Sequence, residues 1–432
     1  MIIPMKAAHL RLLKKRPHWA AISDGRQALL AYTLVMFFYY FGDTIMSYIS
    51  PIVINSYVSN QVILGLIIST SSMIGLLCDT LFAKIFQHKS YPFFAPLTLL
   101  SAILFPISFI FFPHITPTFI FAMAIWGAYY EFARFSHFNF IHAFVKTREH
   151  AHAWGILQAF QALALLVAPL LAIFFFDINK FLPFWVAIGF FVISLIGFYW
   201  MSWKWKKHVR HHVIESQPPI PATLMQKVKI WHLLIKKIWP IFVFLLILTV
   251  LDSSFWTVGT LLSEELRHTS WLGSFLIPAY IFPSIIVTLL APRLAWRFGK
   301  KRVSFITAII GSLILLAGGL IFPGGGFVIV VLLSSLFIEV SYPEIYAVFE
   351  DYVARLGVFG NDMVGLEGAA ISLGFIAGPI LAGILASFLG NQNAIVCFAG
   401  LFGLTAVLAL SKVPRKIKMP QQELLEITIA KK

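Results

Sequence analysis

Apolar residues in this chain come in blocks of about 20, the length a helix needs to cross a bilayer. The blocks recur from residue 28 to residue 411, broken by short polar connections such as DINK, PGGG and GNQN. The pattern predicts twelve membrane-spanning helices, and connections a few residues long make sequential helices antiparallel neighbours. It is interrupted once, over 204–238, where WKWKKHVRHH is followed by QPPIPA. A basic, Pro-rich stretch of this kind reads as a linker carrying a surface-lying amphipathic piece. The predicted organisation is an N-terminal segment (1–27), a six-helix bundle (28–203), the linker (204–238), a second six-helix bundle (239–411) and a tail (412–432). The expected fold class is therefore an all-α membrane protein made of two six-helix bundles.

Equal halves suggest an internal repeat. Asp43, in the run FGDTIMSYIS of block 1, and Asp252, in VLDSSFWTVG of block 7, stand about 210 positions apart, and so do Pro169 in block 5 and Pro379 in block 11. The same register places Arg134 of block 4 opposite Glu344 of block 10. The two bundles are thus expected to be pseudo-symmetric.

Composition agrees with the pattern: 59% of the 432 residues are hydrophobic and 12% charged, too few charges to clothe a soluble protein of this length. The net charge of +15 raises the question of nucleic acid, and its distribution answers it. All but three of the 33 Lys and Arg residues fall on one face of the predicted membrane; Lys180 and Arg267 lie on the other and Arg134 lies inside a helix. By the positive-inside rule that face is cytoplasmic, so both termini and the linker are expected there, and no nucleic-acid partner is expected. No small-residue cleavage site follows the basic start, so block 1 is read as retained. Cys78 and Cys397 lie in different helices and are not expected to pair. His208, His211 and His212 have helical metal-ligand spacing, but on a basic linker they read as a membrane-surface patch. With no nucleophile beside a base, no intramembrane metal cluster and no nucleotide loop, the chain is not expected to be an enzyme or to hold a cofactor or metal. The outer loops carry no glycosylation sequon, which favours the inner membrane of a bacterium, and a monomer is expected.

Three motifs sharpen the picture. GLLCDTLFAK after block 2 has Gly75, Asp79 and Lys84; WRFGKKR after block 8 has Arg297, Gly299, Lys300 and Lys301; block 11 carries Gly374, Gly378, Pro379 and Gly383. Together with the helix count, the central linker and the repeat, they resemble the major facilitator superfamily. Its loop signature is matched at Gly75, Asp79 and Lys84 but not at Thr80 and Phe82. The second copy has Trp296 where an Asp would stand. Block 11 resembles the superfamily's antiporter signature, with Ala382 at the first of its final glycines, while block 5 keeps Pro169 but has alanines for glycines. The resemblance implies a gating role for the two loops and places blocks 1, 4, 7 and 10 around a central cavity. For block 11, tight helix packing by small residues is the competing reading.

Ionisable groups at a helix centre cost about 2.5–3.5 kcal/mol each on insertion scales, so they must face a cavity or a partner. Six qualify: Asp43, Glu131, Arg134, Asp252, Glu339 and Glu344. All fall on blocks 1, 4, 7 and 10. Glu131 and Arg134, three apart, share a helix face and form either a proton-operated switch or a permanent ion pair. Asp43 and Asp252, related by the repeat and without an obvious basic neighbour, suit proton or substrate binding. Pro343 beside Glu344 makes block 10 a candidate gate. Tyr39, Tyr40, Trp126, Tyr129, Tyr130, Phe255 and Trp256 could line a pocket for an amphipathic organic molecule. The expected function is secondary active transport by alternating access, with proton-coupled efflux of hydrophobic or cationic compounds preferred. A proton-coupled nutrient symporter and a non-transporting receptor or scaffold remain the alternatives. The expected partners are a small-molecule substrate, protons and the lipid bilayer.

Overall fold

A computed structural model describes residues 18–85, 89, 91–145, 150–205, 224–414, 417 and 419–429; within these, side chains are described for all but 18–26, 79–85, 151, 205, 224, 288–292 and 428–429. Among the described residues all regular structure is helical. The first half comprises α1 (His18–Val58), α2 (Gln61–Ile85), α3 (Tyr91–Phe111), α4 (Thr116–Phe144), α5 (His150–Ile178) and α6 (Leu182–Trp205). In the second half α7 (Leu224–Ser254) passes through a π-helical turn, Phe255–Gly259, into α8 (Thr260–Arg267), and a 3₁₀ turn, Trp271–Phe275, leads into α9 (Leu276–Phe298). α10 (Lys300–Ile321), α11 (Gly326–Ile338), α12 (Ser341–Leu356), α13 (Gly360–Leu389), α14 (Asn391–Lys412) and α15 (Gln421–Ile429) follow. Among the described residues nine helical stretches are long and apolar enough to cross a membrane. α4 falls below that threshold because Tyr129, Tyr130, Glu131 and Arg134 lower its hydropathy.

Two elements differ from the sequence expectation. The linker is shorter than 204–238, because α7 starts at Leu224 and runs without a break through the basic run VKIWHLLIKK. Ile230, Leu234 and Ile238, spaced four apart, are buried along one face of that extension. On its flank lies α15, held by Lys237 Nζ to Glu423 at 3.7 Å and by Gln226 Nε2 donating to the Ile427 carbonyl at 3.2 Å. Block 10 is two helices rather than one, α11 and α12, divided at Glu339–Val340.

Within each half the helices pack through aromatic rings and small residues. Tyr32 of α1 stacks on Phe140 of α4 at 3.8 Å, and Phe109 of α3 stacks on Phe184 of α6 at 5.0 Å. Where α2 and α4 approach, a Cβ at Gly127 would collide with the Ser71 carbonyl. Two backbones touching here leave nothing flexible to move aside. Gly127→Ala is therefore expected to destabilise the first half by about 1–3 kcal/mol, the usual cost of overpacking, read as a lower melting temperature of the purified protein.

The halves meet where α2 lies against α13 and α5 against α9. One end of this seam, bearing residues 58–61, 178–182, 268–271 and 389–391, is closed. There Tyr48 Oη donates to Ser263 Oγ at 2.8 Å, Gln61 Nε2 to Asn391 Oδ1 at 2.9 Å, and Arg267 Nη1 to Asp177 Oδ1 at 2.5 Å.

Candidate functional site

Below the closed end the halves part around a cavity of about 370 Å³, near the low end of the ~300–1,000 Å³ typical of small-molecule sites. Its walls come from α1, α2, α4 and α5 on one side and from α7, its π-helical turn and α13 on the other. Helices 2, 5 and 11 of the repeat thus contribute as well as 1, 4 and 7. Asp43 and Asp252 both line it, one from each half, together with Trp126, Trp256 and a set of hydroxyls that includes Ser71, Ser72 and Thr257.

Each aspartate is held by aromatic donors from its own half. Asp43 Oδ1 accepts hydrogen bonds from Tyr129 Oη at 2.7 Å and Trp126 Nε1 at 3.1 Å, both on α4. Asp252 Oδ1 accepts from Tyr280 Oη of α9 at 3.0 Å, and the Tyr280 ring stacks on Phe255 at 4.0 Å. The Tyr280 bond to Asp252 thus comes from α9, whereas α4 supplies those of Asp43, and Tyr342 of α12 and Trp256 are also placed to donate to Asp252. The π-helical turn just after Asp252 turns Trp256 and Thr257 into the cavity, and such one-turn insertions are common at functional sites.

Glu131 lines the cavity too, and Arg134 forms a two-contact pair with its Oε2, from Nε at 2.8 Å and Nη2 at 2.7 Å. Arg134 itself faces a second cavity of about 80 Å³, which shares Asp43, Tyr130 and Gln161 with the first. Behind that pocket lies a buried network the sequence did not single out. His137 bonds Tyr32 Oη through Nδ1 and Tyr40 Oη through Nε2, each at 2.9 Å, and Tyr32 Oη bonds Ser136 Oγ at 2.9 Å. One signal for it was available, since 131, 134 and 137 follow at intervals of three on one face of α4.

Of the remaining intramembrane carboxylates, Glu344 stands apart from the cavity and Glu339 does not. Glu344 is 3% exposed, turned away from the central cavity, and its Oε2 has no hydrogen-bond partner. It sits where α12 packs on α10, beside the reciprocal Ser304 and Ser341 bonds. Glu339 and Glu344 are five residues apart, about 140° around a helix, so the two could not both face the cavity. Glu339, at the break between α11 and α12, is not among the residues lining the main cavity, but it lies near enough to Asp252 and Tyr280 to interact with them electrostatically.

Of the loop residues, Gly75 lines the cavity, and a Cβ there would meet Glu131 Oε1 at 3.6 Å. The side chains of Asp79 and Lys84 lie outside the described residues, as do His208, His211 and His212. Gly299 has φ +89° and separates α9 from α10, a left-handed position that suits glycine. Arg297 is exposed. Lys300 Nζ reaches Asp351 at 3.0 Å and the Ala347 carbonyl at 3.3 Å, and Lys301 Nζ reaches the Pro414 carbonyl at 2.6 Å. These two lysines tie the second half to itself. The small residues of α13 have distinct neighbours: a Cβ at Gly374 or Gly378 would collide with Thr249 or Ser253 of α7, and one at Gly383 with the Gln61 carbonyl of α2. Pro379 lines the cavity, and its carbonyl abuts Gly65 of α2. Pro169 lies within α5.

At the closed end Arg267 also grips Glu264, from Nε at 2.5 Å and Nη2 at 2.7 Å, so one side chain joins two carboxylates, with Asp177 from the opposite half. Its side chain is only 12% exposed, and partial burial strengthens such a contact relative to a surface pair. In a background lacking Cys78 and Cys397, Arg267→Gln is expected to raise labelling of a cysteine at the buried position 263 about tenfold, the equivalent of roughly 1.4 kcal/mol. The readout is reaction with a membrane-impermeant maleimide.

The pattern of the family described as Major Facilitator Superfamily matches residues 32–360. No curated protein matches the sequence. The structure is similar to that of the nucleoside transporter NupG, with a TM-score of 0.69 at 12% identity over 89% of this chain and 98% of that one. It is similar to a bacterial homologue of the human lysosomal transporter Spinster in an inward-facing, unoccupied conformation (TM-score 0.64, 12% identity, 92% and 99% covered). It is also similar to a POT family transporter in complex with 5-aminolevulinic acid (TM-score 0.65, 13% identity, 89% and 96% covered). At these identities the likeness is one of fold.

Proposed function

Because this chain belongs to the major facilitator superfamily, a family of membrane transporters, we propose that it is a proton-coupled secondary transporter that exports small hydrophobic or cationic organic compounds by alternating access. The observation that carries this reading is the pairing of Asp43 and Asp252. Two carboxylates at repeat-related positions, one on each half, face a single cavity whose described lining residues include Glu131 but no Lys, Arg or His. An acidic cavity between two bodies favours protons and cations over anions. A carboxylate that alternately gains and loses a proton gives each state of the cavity a different affinity, which is what a coupled cycle requires.

The proposed topology puts both termini and the linker in the cytoplasm of a bacterium, each six-helix bundle moving as a unit. The closed end is then periplasmic and the cavity opens inward. The Spinster-like fold relative, described as inward-facing, supports that assignment. Asp79, Lys84 and the Arg297–Lys301 loop remain proposed gate elements on the cytoplasmic side.

The test is reconstitution in liposomes with a trapped pH dye, adding lipophilic cations, sugars and amino acids one at a time. Proton movement is expected with cations. Silence with every compound would overturn coupling, and accumulation of a compound along the proton gradient would reverse the direction.

A further inference from the structure

A smaller cavity, lined in part by Asp43, Tyr39 and Tyr40, adjoins the central one. We propose that it is a subsite for the ammonium head of an organic cation, whose body occupies the central cavity. This deepens the transport reading and rests on it.

Asp43, Tyr130 and Gln161 stand in the walls of both cavities, so a molecule placed across the two lies within reach of the Asp43 carboxylate. The walls of the smaller one also include Tyr39 and Tyr40. Three tyrosines and a carboxylate form the kind of enclosure that holds alkylammonium groups, by ring quadrupole and by charge. The size agrees. About 80 Å³ admits an ammonium group with its first methyl or methylene groups, since a single water needs only ~10–15 Å³ on the same measure. Asp43 is also prepared for this use. Its Oδ1 is taken by Tyr129 and Trp126, which fixes the carboxylate and leaves acceptor capacity on Oδ2.

Two basic side chains also line the pocket, and both are engaged elsewhere. Arg134 is paired with Glu131 and its side chain is half exposed. His137 has both ring nitrogens bonded to tyrosine hydroxyls, and Trp154 of α5 lies edge-on to its ring. Asp252 has no counterpart pocket among the described cavities. The consequence is mechanistic: a cation seated at Asp43 and a proton on Asp43 exclude each other, so the two must travel in opposite directions.

The experiment is calorimetric titration of the full-length protein in lipid nanodiscs with choline and n-butylammonium, and with their neutral isosteres 3,3-dimethylbutan-1-ol and n-butanol. At least one cation is expected to bind, and its isostere at least about tenfold more weakly. Asp43→Asn is expected to weaken the cation about tenfold or more, and at least about threefold more than Asp252→Asn does. Repeating the titration in buffers of different ionisation enthalpy should show protons released on binding to wild type and none with Asp43→Asn. Binding of neither cation, equal binding of cation and isostere, or a loss confined to Asp252→Asn would overturn the subsite. Cation binding at Asp43 without proton release would leave the subsite standing and count against proton coupling, whereas proton movement in liposomes with only uncharged compounds would do the reverse.

Discussion

Gly383→Val is expected to cut transport by roughly 5- to 150-fold while the protein stays folded, because overpacking a seam costs about 1–3 kcal/mol and 1.4 kcal/mol is a factor of ten. A Cβ at this position would collide with the carbonyl of Gln61 and lie 3.3 Å from the Cα of Val62. The same seam holds a reciprocal contact, Gly65 against the Pro379 carbonyl. These are backbone atoms of opposite halves, so no side chain can rotate out of the way. Overpacking at Gly127 strains one half internally and is expected to lower its melting temperature. Overpacking at Gly383 has a different escape, since the two bodies can separate at the closed end and leave each core intact. The variant should therefore accumulate in the conformation open at that end. The check is slow transport combined with fast labelling of a cysteine at position 263 and a near-normal melt. A transport rate within a factor of about two of wild type would show that the seam does not close during the cycle.

The second large effect is expected at Asp43. Asp43→Asn should remove proton movement from the transport cycle, with no more than background dye response in liposomes at any imposed gradient. Asparagine keeps an oxygen where Tyr129 and Trp126 donate, so the packing of α1 on α4 should survive and the melt should stay near wild type. Alanine is predicted to behave differently. It leaves the buried Tyr129 hydroxyl without its acceptor, at about 1–3 kcal/mol, and should lose stability as well as coupling. A proton response preserved in the Asn variant would shift the coupling role to another carboxylate, with Glu131 the first to examine because it lines the same cavity.

Much of this architecture was legible before any coordinates. Block lengths and short loops imply the helices, charge asymmetry implies a face for the linker, and the shared register of Asp43 and Asp252 points to a cavity between two halves. The glycines of α13 were legible as a packing stripe, and their partners on α7 and α2 became visible only in three dimensions. What escaped has a common physical cause. In a soluble helix the polar face announces which side points outward, but lipid is as apolar as a protein core, so hydropathy does not say which way a membrane helix is turned. Glu344 illustrates this: no polar stripe says which side of its helix meets the cavity, and it packs against α10. Tyr280 had no repeat partner to betray it, because its counterpart in the register is Thr70 on α2, an unlike residue. The extension of α7 into the expected linker was hidden by lysines that suggested a loop, although isoleucine and leucine four apart marked a helix face.

In the proposed cycle two rigid halves exchange which end of the cavity is closed. Pulsed electron resonance on two spin-label pairs tests it most directly. One pair, Lys180→Cys with Trp271→Cys, spans the closed end; the other, Phe138→Cys with Val358→Cys, spans the opposite end, and all four positions are exposed. Between mildly alkaline and mildly acidic buffer, the two distances are predicted to change in opposite senses, one lengthening as the other shortens, and to stop responding when Asp43 is replaced by Asn. Distances that stay fixed, or that lengthen and shorten together, would contradict alternating access driven from Asp43.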